Sequence, residues 1–284
     1  MTEVLRRVQE DGVVFRMTNG TPTLLGIPYD ASSSYLRGAA AAPAKIRDAL
    51  RSPSGNGTSE SGVDVLAEGA LEDAGDVAFA DGEDTRAAIT NAVRNVAKRG
   101  GRPISLGGDH SITYPILKAL APVNPNLTIL QFDAHPDLYD AYEGDKFSHA
   151  CQMARIMEDR LATRIVQVGI RTMTAHQRDQ AKKFNVDVID MRIWETGRRP
   201  KAGRPTYVSL DLDGLDPAFA PGVSHPEPGG LTVREVVSVI QSIPGPIIGA
   251  DIVELNPSRD INDLTAFVAA KFVKEIAARM IEVR

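Results

Sequence analysis

The chain has little of what several classes of protein require. Its 284 residues include one cysteine, Cys151, so a disulfide framework and a thiolate metal site are both excluded. No stretch approaches the roughly 18 uncharged apolar residues of a membrane helix, and the first residues, Met1 to Asp11, lack the apolar core of a secretory signal. The net charge of −5 argues against a nucleic-acid-binding surface and is compatible with a cationic substrate. We therefore expect a soluble cytoplasmic protein with neither a nucleic-acid nor a membrane partner.

In the sequence, short apolar runs alternate with amphipathic segments. The runs are almost continuously apolar, as expected for strands that are buried on both faces of a parallel sheet. They cover residues 24–27, 104–106, 127–132, 165–168, 186–189, 207–212 and 247–253. Helical faces lie at 89–96 and 264–280, and Thr232 with Glu235 forms a capping box. The alternation predicts a three-layer αβα fold of the α/β class with a mainly parallel sheet, in one domain over residues 1–284.

Three acidic strings follow apolar runs, at residues 107–111, 133–137 and 211–217. In open parallel sheets, ligands collect at the carboxyl ends of the strands, and residues two apart in extended chain point the same way. Carboxylates mixed with imidazoles suit a first-row divalent cation. Six ligands are too many for one ion that must also bind water, but two ions roughly 3.5–4 Å apart can share them and activate a water. The strings thus predict a two-metal hydrolase with the ligands His110, Asp133, His135, Asp137, Asp211 and Asp213.

Three further residues are candidates for proton transfer or substrate binding next to the metal ions. His149 lies twelve residues beyond Asp137, and its near-neutral pKa suits proton transfer. Glu254 ends an apolar strand, and a guanidinium would match its carboxylate in two-pronged geometry, although a structural ion pair with an arginine is the alternative. His225, in a loop rich in Gly and Pro, is expected either to line the mouth of the pocket or to have a plain loop role.

Taken in this order, the strings and Glu254 resemble the ureohydrolase family of arginases and agmatinases, from about residue 24 to 280. Residues 148–150 with 154–158, together with the segments 218–231 and 253–257, resemble the plant-type arginases of the agmatinase-like branch. The resemblance implies an arginase-like sheet of roughly eight strands, two Mn²⁺ per subunit, and a homotrimer or homohexamer. It assigns His110 and Asp137 to one ion, His135 and Asp213 to the other, and bridging positions to Asp133 and Asp211. The implied reaction releases urea and an amine from a small cationic guanidino substrate, with Glu254 holding the cation and His149 helping to protonate the amine.

The choice of substrate rests on the segment 138–145, which is acidic and lacks the Asn that animal-type arginases use to bind the substrate's α-carboxylate and amine. Asp140 and Glu143 are therefore expected to bind a cationic tail, and agmatine, cleaved to putrescine, is the expected substrate. Arg171 or Lys146 could instead bind a carboxylate, so arginase or dual activity is the alternative.

The sequence alone is also compatible with other functional classes of protein. One is a hydrolase of formimidoylglutamate or guanidinobutyrate on the same scaffold. Another is an acyl-lysine deacetylase of related fold with a single zinc ion, and a third is a non-catalytic relic. The doubled set of ligands argues against the deacetylase, and the intact set together with His149 argues against the relic.

Overall fold

A single parallel sheet forms the centre of the molecule. The computed structural model describes residues 20–203 and 205–283, so the segment 1–11, considered above for a secretory signal, lies outside the described residues. The strands are β1 (Thr21–Gly26), β2 (Glu72–Asp76), β3 (Gly101–Leu106), β4 (Thr128–Phe132), β5 (Arg164–Val168), β6 (Asp187–Ile189), β7 (Thr206–Asp211) and β8 (Ile247–Val253). They form one sheet in the order β2-β1-β3-β8-β7-β4-β5-β6, and all paired strands are parallel. The predicted parallel sheet is confirmed.

Helices cover both faces of this sheet. They are α1 (Ala42–Leu50), α2 (Thr85–Lys98), α3 (Thr113–Leu120), α4 (Gln152–Glu158), α5 (Ala175–Lys183), α6 (Met191–Glu195), α7 (Val233–Ser242) and α8 (Leu264–Glu282). One hydrophobic cluster joins α1, α6, α7 and α8 to one face of the sheet, and a second joins α2, α3, α4 and α5 to the other. The three-layer αβα architecture is therefore confirmed.

The predicted helical faces are largely buried. Ile89 and Val93 of α2 pack in the core, as do Phe272 and Ile276 of α8. Leu264, which begins the predicted face at 264–280, is 45% exposed, because it is the first residue of α8 and lies before the helix reaches the core. The capping box that begins α7 is present, with both of its reciprocal hydrogen bonds.

The edge strand β2 had no counterpart among the predicted strands. Its sequence, Glu-Asp-Ala-Gly-Asp, is exposed at every position and so carries no apolar signal. The guanidinium of Arg47 on α1 lies 3.0 Å from the carboxylate of Asp73 in this strand. Charged side chains on an edge strand also discourage pairing with another chain. Ion pairing and hydrogen bonds to β1, not hydrophobic burial, therefore hold this strand.

Among the described residues, none of the helices combines the length and the apolar character needed to cross a membrane.

The four central strands, in the order β3-β8-β7-β4, all end at the same edge of the sheet. Each of the three acidic strings follows one of them, and Glu254 follows β8 directly. The turn after β3 depends on Gly108, which has φ +119°; a Cβ there would lie 2.0 Å from the carbonyl oxygen of Tyr29. This turn brings His110 to the edge where the other strings end.

Candidate binuclear metal centre

The first cluster of ligands surrounds the imidazole of His110. Its Nδ1 lies 3.1 Å from Oδ2 of each of three carboxylates, those of Asp133, Asp137 and Asp211. All four residues are buried, yet this nitrogen has no hydrogen-bond partner within residues 20–203 and 205–283. Buried polar atoms are almost always satisfied, and carboxylate oxygens converging with an imidazole nitrogen are the donor set of a first-row divalent cation. The arrangement therefore fits a metal ion.

A second cluster lies on the other side of Asp133. Nδ1 of His135 is 3.0 Å from Oδ2 of Asp213 and 3.6 Å from Oδ1 of Asp133. Asp133 thus presents one oxygen to His110 and the other to His135. A carboxylate placed in this way can bridge two ions, which is the position that the resemblance implied.

The electrostatics of the cage also favour cations. Four carboxylates with two neutral imidazoles carry a formal charge of −4, which two divalent cations would balance. Burial, reinforced by Asp133, raises the pKa of Asp137 to about 6. Burial, reinforced by Asp213, raises the pKa of Asp211 well above its ordinary value. Desolvated like charges at this spacing require protons or cations to neutralise them.

Buried glutamines hold the carboxylates in place. Gln131 donates from Nε2 to Oδ2 of Asp133 over 2.7 Å, and Gln167 donates to Oε1 of Gln131 over 2.8 Å. Gln152 donates to Oδ2 of Asp137 over 2.7 Å. The sequence reasoning missed these glutamines. The available signal was a glutamine inside each of two apolar strands, at positions that pair in register between β4 and β5.

A buried polar chain fixes the orientation of His110. Nε2 of His110 lies 2.8 Å from Oγ of Ser209, and this hydroxyl donates to Asp251 over 2.9 Å. Asp251 also accepts from Tyr207 and Thr113. Because the Ser209 proton is used on Asp251, its oxygen accepts from Nε2–H of His110, and that tautomer leaves the Nδ1 lone pair free for a metal. Ser209 and Asp251 were also missed; both are polar residues inside buried strands.

His149 and Glu254 form a buried pair beside the cage. Nδ1 of His149 lies 2.8 Å from Oε1 of Glu254, which also accepts from the backbone N–H of His110. Burial by itself lowers the pKa of His149, but the carboxylate of Glu254 more than offsets this and raises it to about 9. Oε2 of Glu254 is buried without a hydrogen-bond partner. Glu254 has φ +66°, in the left-handed region, a conformation that is concentrated at functional sites.

These groups open into one cavity of about 190 Å³. Its inner wall contains His149, Glu254 and metal-cage residues, and His225 also lines it. The outer wall is neutral, with hydroxyl, amide and aromatic groups from Tyr139, Tyr142, Thr172, Thr174 and Gln177. These outer residues were missed, because no motif marks them.

The acidic residues expected to bind the substrate tail lie elsewhere. The carboxylate of Asp140 accepts from Gln180 on α5 and faces His176, and Glu143 sits in a tight turn with φ +49°. Neither lines the cavity. Their role in substrate binding therefore stays a prediction without geometric support.

Arg171, one of the two cations considered for a carboxylate, is engaged within the fold. Its guanidinium donates to backbone carbonyls, those of Gly169, Asp213, Gly214, Leu215 and Glu227. It does not line the cavity, and neither does Lys146.

Comparisons with known proteins agree with this geometry. The chain is 41% identical to "Arginase 1, mitochondrial" of Arabidopsis thaliana, over 99% of this chain and 88% of that protein. It is 34% identical to "Agmatinase" of Bacillus anthracis, over 89% of each. The solved structure of arginase from Medicago truncatula superimposes with a TM-score of 0.88 at 42% identity, covering 92% of this chain and 88% of that one. The profile of the Arginase family matches residues 21–278. The chain thus belongs to the arginase family and is a hydrolase of the ureohydrolase type.

Proposed function

We propose that the protein is a binuclear manganese hydrolase that cleaves arginine to ornithine and urea. The observation that carries the proposal is the unpartnered Nδ1 of His110 within 3.1 Å of three carboxylate oxygens, in a cavity shared with the His149–Glu254 pair. The identity to plant arginases supports the choice of arginine over agmatine. The sequence-based expectation of agmatine depends on Asp140 and Glu143, which do not line the cavity.

The metal cage provides the donors that two Mn²⁺ ions require. The six side chains that would hold them are His110, Asp133, His135, Asp137, Asp211 and Asp213. When bound, two divalent cations lower the pKa of a water from about 15.7 to about 7 and so supply a strong nucleophile at neutral pH. Such a nucleophile is needed because the charge of a guanidinium is delocalised and its carbon is a poor electrophile.

The chain's own residues then bind the substrate and move a proton. The free Oε2 of Glu254 is the acceptor for a guanidinium N–H, which would satisfy this buried oxygen. The pKa of His149, about 9, keeps its imidazole protonated at neutral pH. His149 therefore supplies a proton to the leaving nitrogen as its bond to the guanidine carbon breaks.

The neutral outer wall of the cavity affects the choice between arginine, whose tail carries an α-carboxylate and an amine, and agmatine, whose tail carries only an ammonium group. Thr172, Thr174 and Gln177 offer hydroxyl and amide groups that can hydrogen-bond to a carboxylate as well as to an ammonium group. Among the residues that the structure describes, the outer wall has no acidic side chain to repel the α-carboxylate of arginine, and no Lys or Arg to repel the ammonium of agmatine. Agmatine is therefore the second candidate substrate.

A urea-release assay on the Mn²⁺-loaded enzyme tests the proposal, with arginine, agmatine and guanidinobutyrate in parallel and formamide release measured for formimidoylglutamate. We expect the highest kcat/KM with arginine. A tenfold or greater preference for agmatine would overturn the choice of substrate but leave the class of reaction intact. Absence of product from all four compounds, with two metal ions bound, would overturn the hydrolase proposal itself.

We also propose a homotrimer or homohexamer. Light scattering coupled to gel filtration should then give three or six times the chain mass of 30.6 kDa. A monomeric mass would contradict this. The cytoplasmic location stays a prediction, and the Arabidopsis relative is named as mitochondrial.

A further inference from the structure

The second nitrogen of His149 faces a serine on the loop after β1. Ser34 donates from its backbone N–H to Nε2 of His149 over 3.2 Å, and its Oγ lies 2.8 Å from the same nitrogen. Nδ1 of His149 is hydrogen-bonded to Glu254, and His149 is only 9% exposed. A proton on Nε2 therefore points to the Ser34 hydroxyl and not to solvent.

This hydroxyl is suited to both protonation states of the imidazole. When Nε2 carries no proton, it accepts from the N–H of Ser34. When Nε2 is protonated, it needs an acceptor, which an N–H cannot be but a hydroxyl oxygen can. The side chain of Ser34, and not its backbone, is therefore the partner of the imidazolium.

The hydroxyl also lies between the interior and the open side of the cavity. Ser34 lines the cavity, and its Oγ is 3.5 Å from Nε2 of His225, another residue of the wall. The imidazole rings of His149 and His225 have centroids 5.1 Å apart. Ser34 thus connects the buried histidine to the space that a substrate would occupy.

The loop that carries Ser34 is anchored on both sides of the site. The backbone N–H of Ser32 donates to the fully buried carboxylate of Asp109 over 2.8 Å. The carbonyl of Ser32 accepts from the backbone N–H of His149 over 3.2 Å. These bonds hold the loop, and with it the Ser34 hydroxyl, in register with His149.

We propose that Ser34 is a catalytic residue whose hydroxyl relays the proton between Nε2 of His149 and the leaving nitrogen of the substrate; this rests on the proposed hydrolysis. The water-derived oxygen on the guanidine carbon releases its proton to solvent and forms the C=O bond of urea as the C–N bond breaks, and the electron pair of the C–N bond stays on the nitrogen. The hydroxyl proton of Ser34 moves to that nitrogen, and Nε2–H of His149 replaces it on Oγ. His149 is left neutral, Ser34 is unchanged, and solvent returns one proton by the same path.

Several charged or titratable groups surround this path and belong to any account of its pH dependence. His149 experiences the charges of Glu254, Asp137 and Asp109. Around His225 are His149, His135, Glu254, Asp213 and the ring of Tyr35.

The first test compares Ser34→Ala, Ser34→Thr and the control Ser54→Ala in the urea-release assay. Ser34 is exposed, so the extra methyl of threonine has room. We expect Ser34→Ala to lower kcat by up to about 10²-fold, the lower end of general acid–base contributions, with KM little changed. Ser34→Thr should restore kcat. Ser54→Ala should resemble the wild type, because Ser54 is an exposed serine that does not line the cavity. Normal kcat in Ser34→Ala, or a Ser34→Thr variant as slow as Ser34→Ala, would overturn the proposal.

The second test does not depend on activity. NMR of metal-free protein follows the titration of the His149 imidazole, assigned with a His149→Asn variant. In Ser34→Ala the imidazolium loses the acceptor of its Nε2–H, so the pKa of His149 should fall, and Ser34→Thr should restore it. If the wild type releases no urea, the proposed function fails and this measurement alone decides the role of Ser34. An unchanged titration in Ser34→Ala would then refute it.

Discussion

Replacing Glu254 by glutamine isolates the charge that the structure places beside His149. The amide has nearly the same shape as the carboxylate, so packing is preserved while the charge is removed. Burial lowers the pKa of His149, but Glu254, with smaller contributions from Asp137 and Asp109, raises it to about 9 from an ordinary value of 6.5. At about 1.4 kcal/mol per pKa unit, this net difference corresponds to about 3–4 kcal/mol.

The sign of the pH dependence follows from the direction of the shift. The pKa of His149 is higher in the folded than in the unfolded protein, so the pair stabilises the fold fully below about pH 6.5. This contribution is lost as pH rises through about 9. The wild type should therefore exceed Glu254→Gln in unfolding free energy at pH 6, and the difference should close by pH 9.5.

Denaturant unfolding of metal-free protein at a series of pH values measures this difference. Glu68→Gln, at an exposed residue that does not line the cavity, is the matched control and should follow the wild type throughout. A gap between wild type and Glu254→Gln that does not change with pH would refute the pairing of His149 with Glu254. In the Mn²⁺-loaded enzyme, Glu254→Gln should also raise KM, because the guanidinium loses its anionic partner.

Three further substitutions test other parts of the site. Asp211→Ala should lose both metal ions and nearly all activity; full metal occupancy, measured by mass spectrometry, would contradict the bridging role. Ser209→Ala removes the group that fixes the tautomer of His110 and should weaken Mn²⁺ affinity by about 10–100-fold in calorimetry; unchanged affinity would argue against this role. His149→Asn should lower kcat by about 10²–10⁴-fold with both ions retained, whereas near-normal turnover from neutral to alkaline pH would reduce His149 to a loop residue.

The metal cage could be predicted from sequence because its signals are local. An apolar run marks a buried strand, and alternating Asp and His at its carboxyl end mark side chains that face one cavity. The same logic located Glu254 after β8. The role of each of these residues can be predicted from fewer than about ten neighbouring residues in the sequence.

The supporting groups could not be predicted, because their partners are distant in sequence. Ser209 and Asp251 become a tautomer-fixing chain only when β7 and β8 lie side by side. The hydrogen bond that the Asp140 carboxylate accepts from Gln180 of α5 likewise joins residues that are 40 positions apart. Ser34 precedes His149 by more than a hundred residues, and the sequence around Ser34 does not predict their contact.

The most direct test of the account is an anomalous diffraction measurement at the manganese edge on crystals of the Mn²⁺-loaded protein. The account predicts two peaks per chain: one bound by Nδ1 of His110, the other by Nδ1 of His135, with Asp133 between them. A single peak, or peaks outside this cage, would contradict the central claim that the chain is a binuclear hydrolase.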